Sequence, residues 1–168
     1  MKIPLLYGKK GLELDLPDDV RPTIIRKHPM TPLEDPLLAI RNALEHPAGS
    51  PSLSRLASGK KNACILICDI TRPVPNGLLL PPIIKTLTAA GISRRDILIL
   101  VATGLHRPNE GEELREIVGS DEIFDTIRVE NHFARDRKAH VDLGKTSSGI
   151  PIMIDRRFVE ADMKIVTG

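Results

Sequence analysis

Aromatic side chains are nearly absent: the 168 residues include three Phe, one Tyr and no Trp. Proteins that read single-stranded nucleic acid stack bases on such rings, so the composition argues against that class. An excess of one charge is missing too. With 24 Lys and Arg against 22 Asp and Glu the formal net charge is +2, and the basic pairs Lys60-Lys61 and Arg94-Arg95 stand isolated instead of forming a phosphate track. No stretch nears the roughly 18 apolar residues of a membrane span, and the N-terminus lacks the apolar core of a signal peptide. The expectation is a cytoplasmic protein with neither a nucleic-acid nor a membrane partner. There are two cysteines, Cys64 and Cys68. Four positions apart on one strand they share a face at about 13 Å, too far for a disulfide, and read as buried thiols. Neither GxGxxG nor GxxxxGK[ST] occurs. None of the five histidines has metal spacing such as HxxxH, so no metal site is expected from this chain.

What is abundant is branched aliphatic residue, which suits the buried strands of a parallel sheet. Residues 1–16 read as two short strands around the turn Tyr7-Gly8-Lys9-Lys10-Gly11, a small N-terminal β-hairpin region. Val20 to Pro32 is broken by prolines and reads as extended. Asp35 is placed to cap a helix beginning at Pro36, with an apolar stripe of Leu37, Leu38, Ile40, Ala43 and Leu44, and Ser52 to Ala57 reads as a further short helix. From Asn62 strand and helix alternate: strand Ala63 to Cys68; helix Gly77 to Ala90, with Pro81-Pro82 expected in its first turn or at a kink; strand Ile97 to Ala102; helix Glu110 to Val118, closed by Gly119; strand Thr126 to Glu130. A paired Val141 to Leu143 and Ile150 to Ile154, a short helix Arg156 to Ala161 and a last strand Met163 to Val166 complete the chain. This order implies βαβ units: a single α/β domain over 1–168 with a mostly parallel, Rossmann-like sheet flanked by helices.

Two strand-end loops carry chemistry beyond the needs of a turn. Asp69-Ile70-Thr71-Arg72-Pro73 follows the first core strand, and Thr103-Gly104-Leu105-His106-Arg107-Pro108 follows the second. Ligands of open α/β sheets gather beyond the carboxyl ends of the strands. If the two strands are neighbours, Asp69, Arg72 and His106 converge. His106 is the candidate acid/base, because an imidazole exchanges protons near neutral pH once a neighbour fixes its tautomer, and Asp69 is that neighbour. Arg72 has the planar fork that binds a carboxylate or phosphate; a salt bridge to Asp69 is the competing reading. Arg107 reads as structural. His132, ending the third strand, is a second possible site residue, although a strand-end surface histidine is the favoured reading. His28, His46 and His140 lie in or beside loops without company. A non-catalytic nucleotide- or phosphate-binding α/β module is the alternative, with Thr71, Thr103 and Gly104 as the groups that approach the bound phosphate or cofactor; a structural domain whose histidines merely cap is a third.

The stretches DITRPVP, Asp69 to Pro75, and VATGLHRP, Val101 to Pro108, resemble the nickel-pincer-nucleotide-dependent lactate racemase family. So do Glu130-Asn131-His132, Leu143-Gly144-Lys145-Thr146 and the segment Glu160 to Gly168, in the family's order and spacing. The resemblance implies a two-domain α/β enzyme that racemises or epimerises 2-hydroxy acids. In it a hydride moves from the carbinol carbon to the nickel cofactor, and two histidines serve the substrate hydroxyl. His106 matches the first of these, Arg72 the arginine holding the substrate carboxylate, and Asp69 the acid of the same loop. The family continues past the position of Gly168 into the second catalytic histidine, the lysine that carries the cofactor and a nickel-ligating histidine. The chain is therefore expected to be the N-terminal part of such an enzyme, neither holding the nickel-pincer nucleotide covalently nor turning over alone. With the C-terminal part missing, an exposed apolar docking face would favour self-association of the fragment.

Overall fold

The structure is a computed structural model in which every residue but Lys9 is described, and the chain falls into two compact units, Met1–Pro32 and Leu33–Gly168. In the first, β1 (Lys2–Leu5) and β2 (Leu12–Asp15) pair antiparallel, with Lys2 opposite Asp15 and Leu5 opposite Leu12. Residues 20–32 form neither helix nor strand, as expected of a segment whose prolines withhold amide donors.

The second unit opens with α1 (Pro36–Glu45). The Asp35 carboxylate accepts the Leu38 amide at 2.9 Å and Pro36 fills the first helical position, the two devices that start a helix without orphaned amides. Next come α2 (Leu53–Ala57), capped by Ser52, and β3 (Ala63–Cys68). Then follow α3 (Asn76–Ala89), β4 (Ile97–Ala102), α4 (Gly111–Val118), α5 (Asp121–Thr126) and β5 (Arg128–Asn131). A hairpin of β6 (His140–Lys145) and β7 (Pro151–Asp155), α6 (Arg156–Glu160) and β8 (Met163–Val166) complete the unit.

Four strands form one parallel sheet in the order β5-β4-β3-β8. Numbered by their own succession this is 3-2-1-4, the order of a Rossmann-like half, and the direction of winding reverses beside β3. Alternation along each strand splits the core. Ile65, Ile67, Ile97, Ile99 and Val101 face α2, α3, α4 and α5 in the main cluster, while Cys64, Leu98 and Leu100 face Ala161 and Phe158, the latter on α6. Cys64 is buried and Cys68 half-buried, both as free thiols. Burial, with the Asp155 charge as the next cause, raises the Cys64 thiol to about 11, which leaves it protonated and unreactive.

Two expectations need correction. Helix α3 spans nearly the expected Gly77 to Ala90, but Pro81 and Pro82 are its sixth and seventh residues, past the first turn, and the helix runs through both. Leu80, Ile83, Ile84 and Leu87 are buried in the cluster that packs on the sheet, and that packing outweighs the two missing amides. The third strand begins at Arg128, not Thr126, because α5 occupies residues 121–126. Ser120 caps α5 by accepting the Ile123 amide, and Asp121 and Glu122 sit in its first turn, where negative charge favours the helix.

Candidate active site at the carboxyl ends of the strands

Strands β3 and β4 are neighbours, and Cys68 lies level with Ala102. Asp69 and Thr103 therefore leave the sheet side by side, next to the point where the winding reverses. Asp69 is only 5 % exposed, yet its carboxylate is fully engaged. One oxygen accepts the Thr71 hydroxyl at 2.6 Å and the Thr71 amide at 3.2 Å; the other meets His106 Nδ1 at 2.5 Å. Burial pushes the Asp69 carboxyl up, but the bonds from Thr71 and His106 outweigh it and hold the carboxyl below its ordinary range. An ionised carboxylate has no proton to offer, so Nδ1 must be the donor. That leaves the Nε2 lone pair of neutral His106 directed away from Asp69 on a side chain that is 58 % exposed, the arrangement of a general base with an oriented tautomer.

The loop bearing His106 is pinned on both sides. The Thr103 carbonyl accepts the His106 amide at 2.9 Å. Beyond it, Arg107 forks onto Glu113 at 2.7 and 2.8 Å, the structural role expected of it. Arg107 and then Asn109 lower the Glu113 carboxyl to about 2. Asn109 and Asn131 exchange bonds, amide to Oδ1 at 3.0 Å and Nδ2 to carbonyl at 2.8 Å, tying the loop to the end of β5.

The other sequence candidates fall in different places. Arg72 is exposed and bonds Asp69 only through its backbone amide, at 3.1 Å. Asp69 is the partner of His106, and among the described residues the Arg72 guanidinium joins no ion pair. Both donors of Thr71 go to Asp69. Both donors of Thr103 also stay inside the protein, its amide on the Val101 carbonyl and its hydroxyl on the His132 carbonyl. Neither threonine therefore has a donor left for a phosphate, which weakens the phosphate-module reading. Gly104 differs: its φ is +57° and no heavy atom lies within 4 Å of where a side chain would begin. Its left-handed conformation is one that side chains avoid, and the space beside it is open.

His132 is not an idle strand-end histidine. Its Nδ1 meets Asp155 at 2.9 Å, and Asp155 also accepts the Arg157 amide, Nε and Nη2 at 3.0, 3.0 and 2.7 Å. Arg157 reaches back to Glu130 and to the Asn131 carbonyl. His140, read as solitary, is buried, with its ring edge-on to His132 at 5.0 Å between centroids. The sequence carried one usable signal for this cluster, an Asp directly before a helix at the end of a strand.

Burial raises the Asp155 carboxyl, but Arg157 and His132 outweigh it and bring it to about 2, from an ordinary 3.8. A depressed carboxylate stabilises the fold above its unfolded pKa, and the contribution is lost as pH falls from 3.8 toward 2. It amounts to about 2 kcal/mol. Asp155→Asn is therefore expected to be less stable than the parent at pH 7 and to lose correspondingly less between pH 5 and pH 2. Urea unfolding at both pH values checks this, and parallel losses in the two proteins refute it.

A cavity of about 760 Å³ lies away from these residues, between α1, α2 and α3, lined by Leu37, Leu44, Pro81 and Pro82 among others. Among the described residues no group of three or more His, Cys, Asp and Glu is placed to hold a metal ion, and no helix is long and apolar enough to cross a membrane.

Comparison with known proteins places the chain in a family. Residues 7–168 match the family described as the lactate racemase N-terminal domain. The chain is 32 % identical over 170 residues to the lactate racemase of Thermoanaerobacterium thermosaccharolyticum, covering 99 % of this chain and 39 % of that protein. It is 37 % identical over 129 residues to the lactate racemase of Lactiplantibacillus plantarum, covering 77 % and 30 % respectively. The chain thus spans well under half the length of these curated relatives. The solved structure of the T. thermosaccharolyticum lactate racemase apoprotein superposes with a TM-score of 0.80 over 99 % of this chain and 38 % of that one, at 32 % identity. A Thermotoga maritima protein shares the fold with a TM-score of 0.60 at 20 % identity, over 77 % of this chain and 32 % of its own. The chain belongs to the lactate racemase N-terminal domain family.

Proposed function

We propose that this chain is the part of a 2-hydroxy-acid racemase or epimerase that handles the substrate's hydroxyl proton and carboxylate. The observation that carries the reading is the pair formed by buried Asp69 and exposed His106, with Nδ1 turned to the carboxylate. A carbinol C–H is a very weak acid, so inversion at that carbon is easier as hydride loss accompanied by removal of the hydroxyl proton. His106 Nε2 takes that proton and returns it, while Asp69 stabilises the imidazolium that forms between the two events. Arg72, whose guanidinium joins no ion pair among the described residues, is available to hold the substrate carboxylate in a two-point grip. Gly104 leaves room for a bound group beside the loop.

The hydride acceptor, which the resemblance makes a nickel-pincer nucleotide, finds no cluster of metal ligands among the described residues. The nickel ligands and the remaining groups of the site would lie in a C-terminal part corresponding to the rest of the longer relatives, and the chain alone is expected to be inactive.

The test is a chimera in which this chain replaces the matching part of the T. thermosaccharolyticum enzyme, loaded with cofactor and given one lactate enantiomer. Interconversion by the chimera and none by the chain alone is the expected result. A folded, loaded chimera that racemises no 2-hydroxy acid overturns the reading. Within the active chimera, Arg72→Lys keeps the charge but loses the fork and is expected to raise KM by about 10-fold. An unchanged KM removes Arg72 from the carboxylate site.

A further inference from the structure

Between β5 and β8 the chain makes a detour. Strands β6 and β7 pair only with each other and add nothing to the four-stranded sheet. What the detour does deliver is Asp155, the last residue of β7, to the imidazole at the end of β5. The result parallels the His106 pair on the adjacent strand: again Nδ1 faces a carboxylate that is 5 % exposed. Here the imidazole is itself enclosed, its side chain only 18 % exposed and the His140 ring edge against it. Such a group is placed to hold something and poorly placed to exchange protons with a ligand.

What it holds is traceable bond by bond. Asp155 fixes the His132 ring, and Arg157 fixes both Asp155 and the Asn131 carbonyl one residue earlier. The His132 amide stays on the sheet, donating to the Val101 carbonyl at 2.9 Å. With ring and amide both fastened, the residue is held on two sides, and its carbonyl accepts the hydroxyl of Thr103. Thr103 is 2 % exposed, and its own carbonyl accepts the His106 amide. The relay runs Asp155, His132, Thr103, His106, Asp69.

We propose that His132, held by Asp155, is a positioning residue that sets the turn after β4 and with it the orientation of the His106 ring against Asp69. The proposal rests on the reading of His106 as the acid/base group for its importance to catalysis, but its geometry is independent of that reading. It gives the β6–β7 detour a task, and it assigns the Thr103 hydroxyl to the relay instead of to a ligand.

The experiment uses the 168-residue chain and the long-range proton–nitrogen spectrum of its histidines, which reports the tautomer of each ring. In the parent, His106 is expected to show a single Nδ1–H tautomer with a downfield proton shared with Asp69. His132→Phe keeps a ring and leaves Asp155 its bonds from Arg157; Thr103→Val keeps the shape and removes only the hydroxyl. Each is expected to cause loss of the downfield His106 proton and averaging of its tautomers, with the backbone spectrum of β3 and β4 unchanged. The double variant is expected to go no further than either single one, because both cut the same relay. Thr103→Ser restores the parent signal. A role confined to stability would leave the His106 signal intact in every variant that folds. A folded Thr103→Val or His132→Phe chain with the parent His106 spectrum overturns the proposal; should His132→Phe not fold, Thr103→Val and its serine rescue decide alone. Because no turnover is measured, failure here leaves the racemase reading standing, and failure of the chimera leaves this one standing.

Discussion

His106→Asn in the active chimera is expected to lower kcat by about 10²–10⁴-fold, the range typical for removing a positioned general acid/base, with KM changed no more than about two- or three-fold. Asparagine is the informative replacement. Its amide nitrogen occupies nearly the place of Nδ1, so the contact to Asp69, now 2.5 Å, can be kept and the buried carboxylate stays satisfied. What is lost is the second ring nitrogen and any ability to bind a proton. Fold and loop geometry are thereby separated from proton transfer, which a change to Ala would not achieve. Asp69→Asn makes the reciprocal test. An asparagine amide can present its NH₂ to Nδ1 and force the proton onto Nε2, removing the base without removing the imidazole. Both variants are expected to fall into the same range and, combined, to cost little more than one alone. Turnover of His106→Asn above a tenth of the parent would remove His106 from the acid/base role. Binding of the substrate carboxylate by Arg72 would be untouched by that outcome.

Much of this was readable from residue order, and the exceptions have physical reasons. Strands β3 and β4 are six-residue aliphatic runs bounded by polar loops, the least ambiguous signal a parallel sheet emits, and the pairing of Asp69 with His106 follows once the two strands are adjacent. Adjacency itself is a property of the sheet and not of either strand. Helix α5 escaped notice because it has only six residues and one buried side chain, Ile123, too short a span for helical periodicity to register. The span of α3 was legible, but not that its prolines sit past the first turn, where local propensity resists a helix and burial of Leu80, Ile83, Ile84 and Leu87 holds it. The His132 cluster was the hardest to see. Its partners stand 23 residues apart and meet only because a hairpin returns its last residue to the sheet edge. No local pattern marks such a contact; a carboxylate capping a short helix was the single hint.

Gly119→Ala is expected to destabilise the chain by about 2–5 kcal/mol, the sum of two independent costs. Gly119 closes α4 at φ +67°, a left-handed conformation that costs an alanine about 1–2 kcal/mol. The added Cβ would also stand 2.9 Å from the Gly77 amide nitrogen and 3.0 Å from the Gly77 Cα. Both are backbone atoms that cannot swing aside, and overpacking of that kind costs about 1–3 kcal/mol. The approach is reciprocal, since a Cβ on Gly77 would lie 2.6 Å from the Gly119 carbonyl oxygen. Alongside, the Asn76 side-chain Nδ2 donates to the Ile117 carbonyl at 2.9 Å, so the start of α3 and the end of α4 meet in close backbone contact tied by a side chain. Gly59→Ala supplies the control, having φ +75° and no atom within 4 Å of the new Cβ; it carries the conformational cost alone. Thermal melts should place Gly119→Ala about 10 °C below the parent and Gly59→Ala only a few degrees below. Equal shifts would mean that the joint yields freely and the close approach contributes nothing. A larger shift has a consequence at the site. Helix α3 starts at Asn76, seven residues after Asp69 in the chain, and a helix displaced at that joint drags the turn that holds the carboxylate. The surviving folded fraction of Gly119→Ala is then expected to show a broadened His106 proton signal, which Gly59→Ala does not share.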